Sequence, residues 1–102
     1  MVLTSAKEPS QRQLRVAQEI KKIIAGALER GDVRNPLISN HFIAITDVDI
    51  SPDLKLCTVY FMTLNGQNLG QLEDDLNAEA RGMKKLIAAK LKLRYTPDIN
   101  FR

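Results

Sequence analysis

Apolar residues along this chain fall into two rhythms, and the rhythms mark out its elements. Leu14, Val16, Ala17, Ile20, Ile23, Ile24, Ala27 and Leu28 recur at the spacing of one broad helical face. Ser10 precedes that run with Gln13 three places on, the S-x-x-Q form of a capping box, and Gly31 follows as a natural C-terminal cap. The spacing predicts a helix over 11–30. A second helical rhythm, Leu72, Leu76, Ala80, Met83, Ile87 and Leu91, runs through the stretch 71–102. Gly82 interrupts it; a helix-interior glycine costs roughly 0.5–1 kcal/mol relative to alanine, so a break or bend is expected there. This helix must end before Pro97, which pushes its predecessor out of the α region.

The other rhythm is alternation. Residues 41–51 are rich in β-branched side chains (Ile43, Ile45, Thr46, Val48, Ile50) and read as a strand. Phe42 and Ala44 compete with Ile43 and Ile45 for the inward side, a mixture that a bulge, or cover over one end only, would produce. Ser51-Pro52-Asp53-Leu54 reads as a turn. Residues 55–64 return as a second strand, with Cys57, Val59 and Phe61 on one face and Thr58, Tyr60 and Met62 on the other. Residues 32–40 and 65–70 read as loops, and Ile99-Asn100-Phe101 starts a third strand. A crossover through helices lets that strand lie parallel to the second. The expected fold is α+β, a three-stranded sheet with helices packed on one face.

A chain of 102 residues has room for one small core: a loose tail over 1–9 and a single domain over 10–102. Its 44% apolar and 26% charged residues are those of an ordinary globular protein. The single cysteine, Cys57, cannot form an intramolecular disulfide, which points to a reducing setting. The first residues carry no continuous apolar core of a signal peptide, and nothing approaches the ~20 apolar residues of a membrane span. The chain therefore reads as cytoplasmic and unattached to membranes.

The net charge of +3 says little, but its distribution says more. Glu73, Asp74, Asp75 and Glu79 precede Arg81, Lys84, Lys85, Lys90, Lys92 and Arg94, an order that suits the helix dipole and gathers six cations within fourteen residues. Arg81, Lys84, Lys85 and Lys90 lie off the Met83–Ile87–Leu91 stripe, and Arg12 and Arg15 on the first helix extend the candidate surface. Such a run is either a solvated face or an anchor that neutralises phosphates and releases counterions. Other chemistry is sparse. His41 is the one histidine, and Cys57 lies in a strand expected to point inward, so no nucleophile–base pair is visible. No Cys/His spacing matches a zinc site, the acidic cluster reads as dipole stabilisation, and residues 66–70 lack the Lys-Ser/Thr of a phosphate loop. No catalytic group, metal, cofactor or small-molecule substrate is expected. Phe42, Phe61 and Phe101 read as core, leaving little for base stacking.

The element order α-β-β-α-α-β is that of a type II KH domain, a nucleic-acid-binding fold. TDVDISPDLKLCTVYF (46–61), LKLRYTPDINF (91–101) and RVAQEIKKIIAGAL (15–28) resemble the bacterial ribosome-binding factor A family, and the likeness spans roughly residues 12–101. That family replaces the GxxG loop of other KH domains with an Ala-x-Gly kink between the last two helices. This chain has no GxxG, and Ala80-Arg81-Gly82 supplies the candidate kink, although Lys84 stands where the family favours arginine. The resemblance implies a monomeric, non-enzymatic factor that binds the small (30S) ribosomal subunit and its 16S rRNA. It also implies help in late rRNA maturation, including the 5′ end, and a link to cold adaptation. The competing reading is a KH-like protein-interaction module using its sheet face or edge, with the basic patch incidental.

Overall fold

The computed structural model describes residues 9–33 and 35–102. The tail expected over 1–9 therefore lies, apart from Pro9, outside the described residues. Helix α1 (Gln11–Arg30) opens with the full capping box: Ser10 Oγ accepts from the Gln13 N–H, and Gln13 Oε1 accepts from the Ser10 N–H. Gly31 closes it in the left-handed conformation at φ 73°. A one-turn helix α2 (Pro36–Ser39) forms inside the expected loop, with Pro36 in its first turn and Asn35 accepting from the Leu37 N–H. Strands β1 (Ile43–Ile50) and β2 (Leu56–Thr63) follow, then a 3-10 turn, Leu64–Gly66. Helices α3 (Leu69–Ala78) and α4 (Ala80–Lys90) lead to strand β3 (Asp98–Phe101).

The sheet order is β1-β2-β3, with β1 antiparallel and β3 parallel to β2. The mixed pattern of β1 is resolved by a bulge: Ile45 pairs with Phe61 and Asp47 with Tyr60, so Thr46 is the extra residue. It moves the inward side from Ile43 and Ile45 to Val48 and Ile50, and its freed carbonyl accepts from Lys21 Nζ at 3.3 Å. The outer edge of β3 is covered by a side chain: Asn77 Nδ2 donates to the Phe101 carbonyl and Asn77 Oδ1 accepts from the Phe101 N–H, at 3.1 and 2.7 Å.

One core joins the helices to the inward face of the sheet. Ile20, Ile24, Leu72, Leu76 and Ile87 from the helices meet Cys57, Val59 and Phe101 from the strands, all essentially inaccessible to solvent. Each buried Leu or Ile contributes about 1.5–3 kcal/mol of transfer free energy. Two residues expected in the core are not there. Leu14 sits at the edge of the α1 stripe, half exposed, and Phe42 precedes β1 at the rim of an open cleft that it shares with Leu28 of α1 and Ile38 of α2, where it is 62% exposed.

The long basic stretch is not one helix. The break falls at Glu79 (φ −94°, ψ 1°), whose N–H bonds to Leu76 three residues back, a 3-10 closure. Ala80, Arg81 and Gly82, the expected kink, form the first turn of α4. Gly82 has no left-handed φ, and a Cβ built on it would meet nothing within 4 Å, so nothing local demands glycine there. The helix also ends at Lys90, well before Pro97. Continuing it would swing Leu93 about 120° away from Ile87, the middle of the Met83–Ile87–Leu91 stripe; extended from Leu91, the chain packs both Leu91 and Leu93 onto the core and turns Lys92 and Arg94 outward.

Candidate nucleic-acid interface

The two halves of the helical layer run in opposite directions. The end of α1 (Ala27) and the loop after it (Asp32) lie beside Gly82, Met83 and Lys85 at the start of α4. The start of α1 lies beside the segment that follows α4: Ser10 and Arg12 share a cleft with Leu93, Arg94 and Tyr95. The eight cations expected to form one basic surface are thereby split. Arg81 and Lys85 are exposed near the α1 C-terminus, whereas Arg12 and Arg94 meet at its N-terminus, with Arg15 one turn further along α1. Lys90 and Lys92 are exposed where α4 gives way to the linker. Lys84 differs from the rest, because its Nζ is held at 2.7 Å by the carboxylate of Asp98 on β3. It ties α4 to the sheet edge, and the Asp98 carboxylate offsets the charge that Lys84 could offer a phosphate.

The cleft at the α1 N-terminus gains a wall that periodicity along one helix could not show. The turn between β1 and β2 brings Lys55 beside Arg94 and Tyr95. That turn is fixed by its own polar groups: Ser51 Oγ accepts from the Leu56 N–H and donates to Asp53 Oδ1, which also accepts from the Lys55 N–H. These bonds hold the Asp53 carboxyl below its ordinary range, the Ser51 hydroxyl chiefly, then the Lys55 N–H. Leu54 takes a left-handed φ of 61°, uncommon for a residue with a side chain, and still packs against the core. Lys55 Nζ and Arg94 Cζ stand 5.7 and 5.6 Å from the centre of the Tyr95 ring.

The outward face of the sheet has the opposite character. Asp47 and Asp49 project from β1 opposite Tyr60 and Thr58, and Leu56 and Met62 are half exposed on β2. Acids also dominate α3, through Glu73, Asp74 and Asp75. Groups considered for catalysis are occupied elsewhere. Burial, reinforced by Asp49, pushes the Cys57 thiol up to about 12, so it stays protonated and unreactive. His41 bridges α2 to the start of α3, its Nδ1 2.8 Å from the Leu37 carbonyl and its Nε2 3.2 Å from Asn68 Nδ2. Among the described residues no three His, Cys, Asp or Glu side chains gather as metal ligands, and no helix is long and apolar enough to cross a membrane.

Element order, a mixed three-stranded sheet and helices on one face define a type II KH-like α+β protein. The same architecture is found in the crystal structure of ribosome-binding factor A from Thermus thermophilus: TM-score 0.73 at 14% identity, over 88% of this chain and 93% of that one. It recurs, at TM-score 0.66, 17% identity and coverage of 83% and 87%, in a Thermus thermophilus ribosome binding factor A homology model fitted into a cryo-EM map of its 30S complex. Sequence carries the assignment further. The family model for ribosome-binding factor A matches residues 12–102, and the ribosome-binding factor A of Methylobacterium sp. (strain 4-46) is 38% identical over 97% of this chain. The chain belongs to the ribosome-binding factor A family. It spans 71% of that relative's length, and 65% to 73% across the first three curated relatives.

Proposed function

We propose that this chain is a ribosome assembly factor that binds the free small (30S) subunit in the cytoplasm and assists late maturation of 16S rRNA, including its 5′ end. It acts as a monomer, catalyses no reaction itself, and matters most in the cold, when rRNA structure is hardest to rearrange. The observation that carries the reading is the sorting of charge. Exposed cations lie on α1, α4 and the α4–β3 linker, while the outward face of the sheet holds Asp47 and Asp49. Phosphates would be met by Arg12, Arg15, Arg81, Lys85, Lys90, Lys92 and Arg94, with Lys84 contributing less because Asp98 offsets its charge. The 30S complex of the Thermus thermophilus relative supports the same partner. The test is co-sedimentation with purified small and large subunits at two salt concentrations. The chain should pellet with small subunits only and be released as salt rises; absence from the small-subunit pellet at low salt would contradict the function.

A further inference from the structure

Four side chains from three separate stretches converge on the cleft at the N-terminus of α1: Arg12, Lys55, Arg94 and Tyr95. The cleft holds about 260 Å³. Among the described residues none of its three cations is in an ion pair, and its one carboxylate, Asp53, is engaged by Ser51 and Lys55 within the turn. Tyr95 is 60% exposed although Leu93 before it packs on the core and Pro97 after it is fully buried. The backbone is thus pinned on both sides of an aromatic ring that is kept in solvent. Lys55 Nζ and Arg94 Cζ stand over that ring at 5.7 and 5.6 Å from its centre, and Tyr95 still keeps 60% of its surface in solvent, so a base stacking there would take a place that it shares with these two cations.

An exposed ring bordered by unpaired cations matches the way proteins hold single-stranded nucleic acid, with a base stacked on the aromatic and phosphates on the cations. Bases inside an A-form duplex are stacked on one another and offer no free face to such a ring. We propose that this cleft binds one unpaired nucleotide of RNA, its base on Tyr95 and its flanking phosphates on Arg12, Lys55 and Arg94. The proposal rests on the ribosomal reading above and narrows it: the target would include an unpaired residue beside the phosphate contacts, not helical RNA alone. Lys55 and Tyr95 then act in recognition alongside the cations that the sequence itself singles out.

Fluorescence anisotropy with a short 5′-fluorescein oligouridine, the same strand carrying abasic sites, and a duplex of equal length tests this on the full chain. The oligouridine should bind more tightly than either alternative. Tyr95→Ala should weaken it roughly 5- to 150-fold and leave the abasic strand unaffected, while Tyr95→Phe keeps the wild-type preference. Lys55→Ala should lower the salt slope by about 0.7. Circular dichroism melts of the variants establish that they are folded. A folded Tyr95→Ala that binds oligouridine like wild type, or a wild type that does not distinguish intact from abasic strands, would overturn the proposal. Subunit pelleting with the same proteins keeps the two readings apart. Wild type failing to pellet overturns the ribosomal function, whereas normal pelleting with tyrosine-independent oligouridine binding overturns the cleft alone.

Discussion

The cleft at the α1 N-terminus and the outward face of the sheet are adjacent in the chain, since Lys55 lines the first and Leu56 opens the second. Their chemistry is opposite. The cleft gathers Arg12, Lys55 and Arg94 around an exposed tyrosine; the sheet presents Asp47 and Asp49 beside Leu56 and Met62. A carboxylate and a phosphate about 4 Å apart at an effective dielectric of about 20 repel by about 4 kcal/mol, so RNA laid across the sheet would meet a penalty where the cleft offers attraction. A modest net charge of +3 thus conceals a cationic cleft and an acidic outer sheet face, while α3 carries a second acidic patch on the helical side.

The division depends first on the core that stacks helices on one side of the sheet. Ile20→Ala or Leu76→Ala, both at fully buried sites, should each cost about 2–5 kcal/mol, a large part of a small domain's stability. Thermal melts check this, and variants that melt like the parent would mean that the two faces are not held apart by this core. A smaller effect belongs to Gly82, where the sequence pattern places a break that the structure puts at Glu79. In the first turn of α4, with open space where a Cβ would go, Gly82→Ala should stabilise by about 1 kcal/mol. A destabilised variant in a chemical melt would move the kink back to that residue. The smallest effect sharpens the charge map within α4: Lys85→Ala should lower the salt slope of subunit binding by about 0.7–0.9, and Lys84→Ala by less, because Asp98 already partners Lys84. Equal slopes for the two would mean that the Lys84–Asp98 pair opens freely on the subunit.

Elements with strong local signals were legible in the sequence. The Ser10–Gln13 box, the Gly31 cap and the strand faces of β2 each follow from a few neighbouring residues, and the mixed pattern of β1 narrows to a bulge or one-ended cover, between which the structure selects the bulge. Misreadings arose where tertiary packing overrode the pattern. Leu91 and Leu93 reach the core better from an extended chain than from a helix, so Lys92 and Arg94 left the helical basic face on which they were counted. Glycine marked the wrong residue for the helix break because Glu79 adopts a conformation open to any side chain. The cleft was the least legible feature. Arg12, Lys55, Arg94 and Tyr95 come from stretches far apart in the chain, and no periodicity within one element connects them. The LRYTP segment held the signal, an aromatic followed two places on by a proline that anchors it.

The most direct test of this charge division is a paired salt titration of small-subunit binding. One arm combines Arg12→Ala, Lys55→Ala and Arg94→Ala; the other combines Asp47→Asn and Asp49→Asn. The cleft variant should melt within about 0.5 kcal/mol per substitution of the parent, yet bind weakly at moderate salt, with its log–log slope reduced by roughly 2 to 3. The sheet variant should keep the parental slope and bind at least as tightly. A folded cleft variant with the parental slope, or a sheet variant that loses the subunit, would contradict the division of charge on which this account rests.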